Sequence, residues 1–398
     1  MKLHMKRYIS FIMILLITLV SGCQSKALSD PLISKAASHR KGLVYRNGSQ
    51  ILMDGQPFTI KAINFDNLTW FSQNVLDDGT PVYRLHHNEA DYDKIKALGF
   101  NSVRYMIKWQ NLFNDPYTLE ENKDGWAWLD RNIRWAKQRR MYIILDFHCP
   151  VGGFGTQSSG KWPIWSNNRM QISFVNTWAK IAAKYKDERT VMAYDLMNEP
   201  ALPGGPSSLS AYRGLMNQAI SKIREVDPDK LVIVEAAVGI DGDKDSWTRP
   251  NWVKVSDENV MYSFHFYEPL AFTHNGVDTP KKEVKYPSKE FSRTELKNLF
   301  REYIKTPRKW GYPLFLGEFG SADWTENSGS EQWTKDMFSL CKEYSIHSAY
   351  FNYRSFLDEP GNDFSFSISN IHYSKVDSDR SYETINESLA SLIKDELK

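Results

Sequence analysis

Short runs rich in β-branched and aromatic residues recur along this chain, and between them apolar residues step by three and four. Runs of the first kind lie at Phe58–Asn64, Asn101–Ile107, Tyr142–His148, Val191–Asn198, Leu231–Ala236, Val260–Tyr267, Pro313–Glu318 and Ser348–Tyr353. They read as strands. Trp126, Leu129, Ile133 and Ala136 form one helical stripe, as do Val175, Trp178, Ala182 and Tyr185, then Tyr212, Met216, Ala219 and Ile223. Trp333, Met337, Leu340 and Tyr344 form another, and Tyr382, Ile385, Leu389 and Leu392 predict a closing helix. Each stripe lets one helix face pack on a sheet. Strands alternating with helices imply parallel pairing through right-handed crossovers, and eight such units close into a barrel. The predicted fold is a single α/β domain, a (β/α)8 TIM barrel, with a doubly wound open sheet as the competing architecture. Only 241–259, with Pro250 and a poor pattern, reads as a loop where a helix is due.

The N-terminus has a different character. Lys2, Lys6 and Arg7 precede an apolar run from Ile9 to Val20, the layout of a secretory signal. The run is shorter than the roughly 20 residues of a membrane-spanning helix. Leu19-Val20-Ser21-Gly22-Cys23 resembles a bacterial lipobox, which implies cleavage before Cys23 and its acylation. The expected organisation is a lipoprotein signal peptide at 1–22, a tether at 23–40 and the barrel at 41–398. More than one acyl chain would fix the chain to a membrane of a bacterial cell envelope, where one chain holds only marginally. Gln24 after the cysteine leans toward the outer membrane in a cell with two. Cys149 and Cys341 form neither a metal-type cluster nor a disulfide framework and are expected to stay unbridged.

Charge narrows the partners. Fifty Lys and Arg against 48 Asp and Glu, interspersed, give a net of +2, which argues against a nucleic-acid partner. Aromatic residues, at 13 Trp, 20 Tyr and 21 Phe, exceed what a core needs, and sugar rings bind by stacking C–H faces on aromatic rings. Trp70, Trp109, Trp162, Trp165 and Trp324 all follow strands. Trp162 and Trp165 close a Gly- and Ser-rich stretch after the third strand, on the face where barrel enzymes carry their sites.

Polar residues stand at the C-terminal ends of strands that should otherwise be apolar: Arg104, His148, Asn198, Glu199, His265, Tyr267 and Glu318. In a barrel those ends meet at one mouth, where an unpaired charge is costly. Pro200 biases Glu199 toward extended backbone, and glycines on both sides of Glu318 leave room for a ligand. Two carboxyls on the fourth and seventh strands can divide the work of glycoside cleavage. One protonates the leaving oxygen while the other attacks the sugar carbon, which requires a separation of about 5–5.5 Å.

At these residues the sequence resembles glycoside hydrolase family 5, the cellulase family, and the wider clan of barrel glycosidases. The likeness runs from Gly55-Gln56-Pro57-Phe58 to the last strand, with Asn198-Glu199-Pro200 as its strongest motif. Family membership implies a retaining glycoside hydrolase acting on a β-linked oligo- or polysaccharide, with Glu199 as acid/base and Glu318 as nucleophile. It implies that Arg104 and Tyr267 attend Glu318, that Asn198 meets the sugar 2-hydroxyl, and that His148 and His265 line the same subsite. Trp162 and Trp165 are candidate sugar platforms. The last strand departs from the pattern: Phe351 stands where the family usually has a Trp beneath the reacting sugar. That puts the usual substrate in doubt more than the mechanism. A β-1,4-glucan is the first expectation, with mannan, other β-glucans and glycolipid or host glycans behind it. Neither a cofactor nor a metal is implied, and the chain is expected to act as a monomer. An inactive glycan-binding lipoprotein and a transglycosylase are the alternatives.

Overall fold

The computed structural model describes residues 41–69, 74–76, 79–154, 162–204, 207–239, 249–276, 282–322, 328–357, 366–372 and 382–398. The expected signal peptide, Cys23 and tether lie outside the described residues, as do Trp70 and Trp324.

Eight parallel strands close into a barrel: β1 (Lys61–Phe65), β2 (Ser102–Lys108), β3 (Tyr142–Cys149), β4 (Val191–Asp195), β5 (Leu231–Glu235), β6 (Val260–His265), β7 (Leu314–Phe319) and β8 (His347–Tyr350). Each falls within a few residues of a predicted run. The last pairing, β8 with β1, seals the ring through Ser348–Lys61 and Tyr350–Ile63. An outer layer is formed by α1 (Glu89–Ala97), α2 (Lys123–Gln138), α3 (Asn168–Tyr185), α4 (Ser208–Arg224), α5 (Arg293–Trp310), α6 (Ser330–Tyr344) and α7 (Glu387–Glu396). The predicted stripes on α2, α3 and α4 are buried, as are Trp333, Met337 and Leu340 of α6. No helix is described between β5 and β6, where residues 249–259 form a loop bridged through Asn251 to Ala237, two residues past the end of β5.

The closing stripe is shorter than predicted. Tyr382 and Ile385 belong to an exposed strand, Tyr382–Ile385, paired antiparallel with Ser369–His372. Asn386 then caps α7, its side chain accepting a hydrogen bond from the Leu389 backbone N–H. A polar residue able to take an orphan N–H fixes the helix start more firmly than the apolar spacing does.

Side-chain alternation along each strand sorts the barrel interior by depth. Low in the barrel, Ala62, Ile144, Ala193, Leu231, Ile233, Met261, Phe315 and Ala349 form one apolar cluster, closed by Val44 and Ile51 of an N-terminal antiparallel hairpin. Two residues further along the same faces the chemistry changes: Ile144 gives way to Asp146, Ala193 to Asp195, Ile233 to Glu235. The mouth is therefore polar because the upper inward positions are. Cys149 ends β3 and Cys341 lies on α6, both buried free thiols as expected.

Candidate active site

Arg104, fully buried on β2, is the centre of the polar layer. Its Nε donates to Asp195 Oδ2 at 2.8 Å, Nη1 to Glu318 Oε1 at 2.7 Å and Nη2 to Glu235 Oε1 at 2.8 Å. Further contacts reach Asn64 Oδ1 and Asn198 Oδ1, both at 3.1 Å, and Asp146 Oδ2 at 3.0 Å. One planar guanidinium thus ties together carboxylates from β3, β4, β5 and β7, a use that its fixed fork of donors suits.

Glu318 receives a second bond, from the Tyr267 hydroxyl to Oε2 at 2.8 Å. Burial pushes its carboxyl above the ordinary value; His265 and Arg104 pull in the opposite direction and are outweighed. The flanking glycines admit protein, not ligand. A Cβ on Gly317 would meet Ser263 Oγ at 2.7 Å, and one on Gly320 would meet the Phe351 carbonyl oxygen at 2.2 Å. A register shift between Leu316 and Phe319 breaks the strand alternation beside Glu318, as bulges near sites commonly do.

Glu199 sits just beyond β4, and its backbone corrects the sequence reading. Its φ is +40°, in the left-handed region and not the extended one toward which Pro200 biases it. Such a residue costs about 1–3 kcal/mol of strain and persists only where surroundings enforce it. Here the backbone N–H donates to Glu235 Oε2 at 2.8 Å. The carboxyl Oε1 lies 2.8 Å from His265 Nδ1. Burial works against a charged His265, but Glu235, Glu318 and Glu199 around it outweigh burial and raise its pKa well above the ordinary value. Oxygens of Glu199 and Glu318 and a nitrogen of His265 all lie within 4.8 Å of one another.

A cleft of about 640 Å³ opens over this layer, lined by Asn198, Glu199, His265, Tyr267, Glu318 and Phe351 among others. The cleft brings together five of the predicted site residues, with Phe351 beside them. Arg104 is buried beneath it and lies against Glu318, as expected. Three others are not in the cleft. His148 is buried too, its Nδ1 2.8 Å from Asp146 Oδ2, and burial lowers its pKa to about 4. Trp162 and Trp165 stack on each other at 6.4 Å and join the core, with Trp165 Nε1 donating to the Ala201 carbonyl. The Trp165 ring also meets Tyr212 of α4 edge-on at 6.0 Å, so its surface is spent on packing instead of on a ligand. Trp109 likewise packs on the core.

The prediction also missed Asn64, Asp146, Asp195 and Glu235, the first three below the cleft and Glu235 at its floor, and Asp66, His274 and Phe366 around it. The first four carried a signal, since a polar residue inside an apolar strand run is as anomalous as Arg104. Asp66 is held at 3.1 Å by His86 Nε2 and at 2.7 Å by Asn352 Nδ2. Asp146, Asp195 and Glu235 lie close enough together to hold a cation, but each is already tied to Arg104.

The profile described as "Cellulase (glycosyl hydrolase family 5)" matches residues 53–356. The chain is a family 5 glycosyl hydrolase. This hydrolase is 26% identical over 299 residues to Endoglucanase C of Acetivibrio thermocellus, covering 67% of this chain and 83% of that one. It is 25% identical over 266 residues to Cellodextrinase A of Ruminococcus flavefaciens, covering 65% and 76%. Among solved structures, an endoglucanase superposes with a TM-score of 0.63 at 22% identity, covering 84% of this chain and 97% of the other. At that identity the likeness concerns the (β/α)8 fold. As a member of the family, the hydrolase is a glycosidase that cleaves O-glycosyl compounds.

Proposed function

We propose that this glycosidase cuts internal β-1,4-glucosidic bonds with retention of anomeric configuration, Glu318 acting as nucleophile and Glu199 as acid/base. The observation that carries this reading is the spacing: oxygens of the two carboxyls within 4.8 Å leave no room for a water between acid and attacked carbon. Inverting enzymes need about 6.5–9.5 Å, and retaining ones about 5–5.5 Å. Exposure divides the roles. The Glu318 side chain, 5% exposed and bonded through both oxygens, is held in one pose for attack. The Glu199 side chain keeps 21% exposure, as an acid that must reach first a leaving oxygen and then water requires.

Glu318 attacks the anomeric carbon while Glu199 protonates the departing oxygen; Glu199 then takes a proton from the water that releases the sugar. Asn198 spends its Oδ1 on Arg104, so its amide nitrogen is the end left to donate to the sugar 2-hydroxyl. Phe351 supplies the floor beneath the reacting ring. Export and acylation at Cys23 would hold the barrel on the cell envelope, and labelled palmitate incorporated by the wild type but not by Cys23→Ser tests that anchor.

The catalytic test is hydrolysis of aryl β-glycosides and of cello- and manno-oligosaccharides by the form starting after Cys23, with product anomers read by NMR. Glu318→Ala and Glu199→Ala should each lose about 10²–10⁴-fold in rate. An inverted first product, or either variant retaining full activity on oligosaccharides, rejects the assignment.

A further inference from the structure

Glu235 closes β5 in Val234-Glu235-Ala236, two positions above Ile233 on the inward face. Its side chain is 1% exposed, so it is poorly placed to exchange a proton with substrate. Each oxygen is nevertheless engaged by the machinery around the reaction. Oε1 accepts from Arg104 Nη2 at 2.8 Å and lies 3.4 Å from His265 Nε2. Oε2 accepts the backbone N–H of Glu199 at 2.8 Å. One carboxylate therefore touches the Glu199 backbone, the imidazole on the Glu199 carboxyl and the guanidinium on Glu318.

We propose that Glu235 is a positioning residue for leaving-group protonation, acting on Glu199 at both ends: directly through its N–H and indirectly through His265. The inference rests on the reading of Glu199 as acid/base. At the backbone end, the N–H bond helps enforce the left-handed φ that aims the side chain into the cleft. At the carboxyl end, a doubly protonated His265 turns Nε2 toward Glu235 and donates from Nδ1 to Glu199 Oε1. That occupies Oε1, so the proton to be delivered resides on Oε2.

The groups acting on the imidazole come from five strands. Glu199 from the end of β4, Glu235 from β5 and Glu318 from β7, with Oε2 3.5 Å from Nδ1, are its carboxyl partners. Asp146 of β3 acts from further off, Arg104 of β2 adds a positive charge beneath, and Tyr267 follows His265 in sequence. Glu235 is the partner on the Nε2 side. It is itself held ionised: burial opposes its charge, but His265 and Arg104 outweigh burial and lower its pKa to about 2. Without that charge, His265 gives up a proton at lower pH. A neutral ring with its lone pair on Nδ1 then draws the Glu199 proton onto Oε1, away from the leaving oxygen.

The test compares Glu235→Gln and Glu235→Asp with wild type on two substrates. The 2,4-dinitrophenol of its β-cellobioside departs without protonation; the sugar released from cellotetraose does not. Glutamine must turn an N–H₂ toward either Arg104 or the Glu199 N–H, a donor facing a donor. In Glu235→Gln, kcat/KM should fall about tenfold further on cellotetraose than on the dinitrophenyl substrate. The basic limb of its pH profile should move down, and Glu235→Asp should restore part of both. Equal losses on the two substrates with an unmoved profile would mean a merely structural role and overturn the proposal. Should the variants not fold, ¹⁵N shifts of His265 in the wild type decide: a doubly protonated ring at pH 7.5 supports it, a neutral ring overturns it. Glu199→Gln is the separate control, because the absence of any leaving-group dependence there defeats the acid/base reading itself.

Discussion

Arg104 and Glu318 are 214 positions apart in the chain and 2.7 Å apart in the barrel, joined through Nη1 and Oε1. Neither is paired with the other alone, since the same guanidinium also holds Asp195, Glu235 and Asp146. Removing it leaves several buried carboxylates without a counter-charge. Arg104→Met should destabilise the fold by about 3–5 kcal/mol, the usual cost of breaking a buried pair from one side. Arg104→Lys keeps the charge but not the fork and should recover only part. Urea unfolding monitored by tryptophan fluorescence measures both; a loss under about 1 kcal/mol for Arg104→Met contradicts the role of Arg104 as hub.

The Tyr267 hydroxyl donates to the Glu318 oxygen that Arg104 leaves open. Tyr267→Phe deletes one donor and little volume, so stability should change by only about 1 kcal/mol. Activity should fall about 10–100-fold, in proportion to the loss of one donor on a charged group. Burial already raises the Glu318 carboxyl, so activity should be lost as pH falls through a value above the ordinary 4.3 or so of a glutamate. Losing a donor to the ionised form moves that acidic limb higher still, which a pH series of kcat/KM reads directly.

A methyl group at Gly320 would lie 2.2 Å from the Phe351 carbonyl oxygen and 3.2 Å from the Phe366 ring. Gly320→Ala should therefore displace the aromatic wall while leaving every charged residue in place. Expected are a cost of about 1–3 kcal/mol and a rise in KM larger than the fall in kcat. Calorimetric melting and steady-state kinetics on one oligosaccharide suffice, and an unchanged KM would separate Phe351 from substrate binding.

Asp146 is fully buried between His148 and Arg104, and burial raises its carboxyl pKa to about 7. The folded chain keeps this proton across a range where the unfolded chain, near 3.9, has lost it. The stabilising contribution is therefore complete below about pH 4 and disappears as pH rises through about 7. Asn at this position mimics the protonated form at every pH. Denaturation midpoints should thus favour Asp146→Asn over wild type more at pH 8 than at pH 4.5; a difference independent of pH would show that Asp146 titrates normally.

Much of this was legible in the chain because the signals were violations of pattern. Polar residues at the C-terminal ends of strand runs announced Glu199, His265, Tyr267 and Glu318, since a buried polar group there must be paired or put to use. Phe351 was found differently, by its place relative to Tyr353 and Arg354. The same test applied strictly would have found Asp146, Asp195 and Glu235. Trp162 and Trp165 were misread because aromatic content does not say which face of a ring is covered, and only packing decides that. His148 and Glu199 show a further limit. Depth beneath the mouth and a left-handed φ both depend on neighbouring strands that are distant in sequence.

The charged layer and the cleft above it come from different parts of the chain. Arg104 and its carboxylates sit within or at the ends of strands, whereas Phe351, Phe366, His274 and Leu270 follow them. Loops around the mouth can consequently be exchanged with those of other barrel glycosidases while the reaction's own geometry stays where it is. For this hydrolase, altered substrate preference should be reachable by grafting, and the strand residues, with Asn198, Glu199 and Tyr267 just beyond them, are the ones a graft must leave alone.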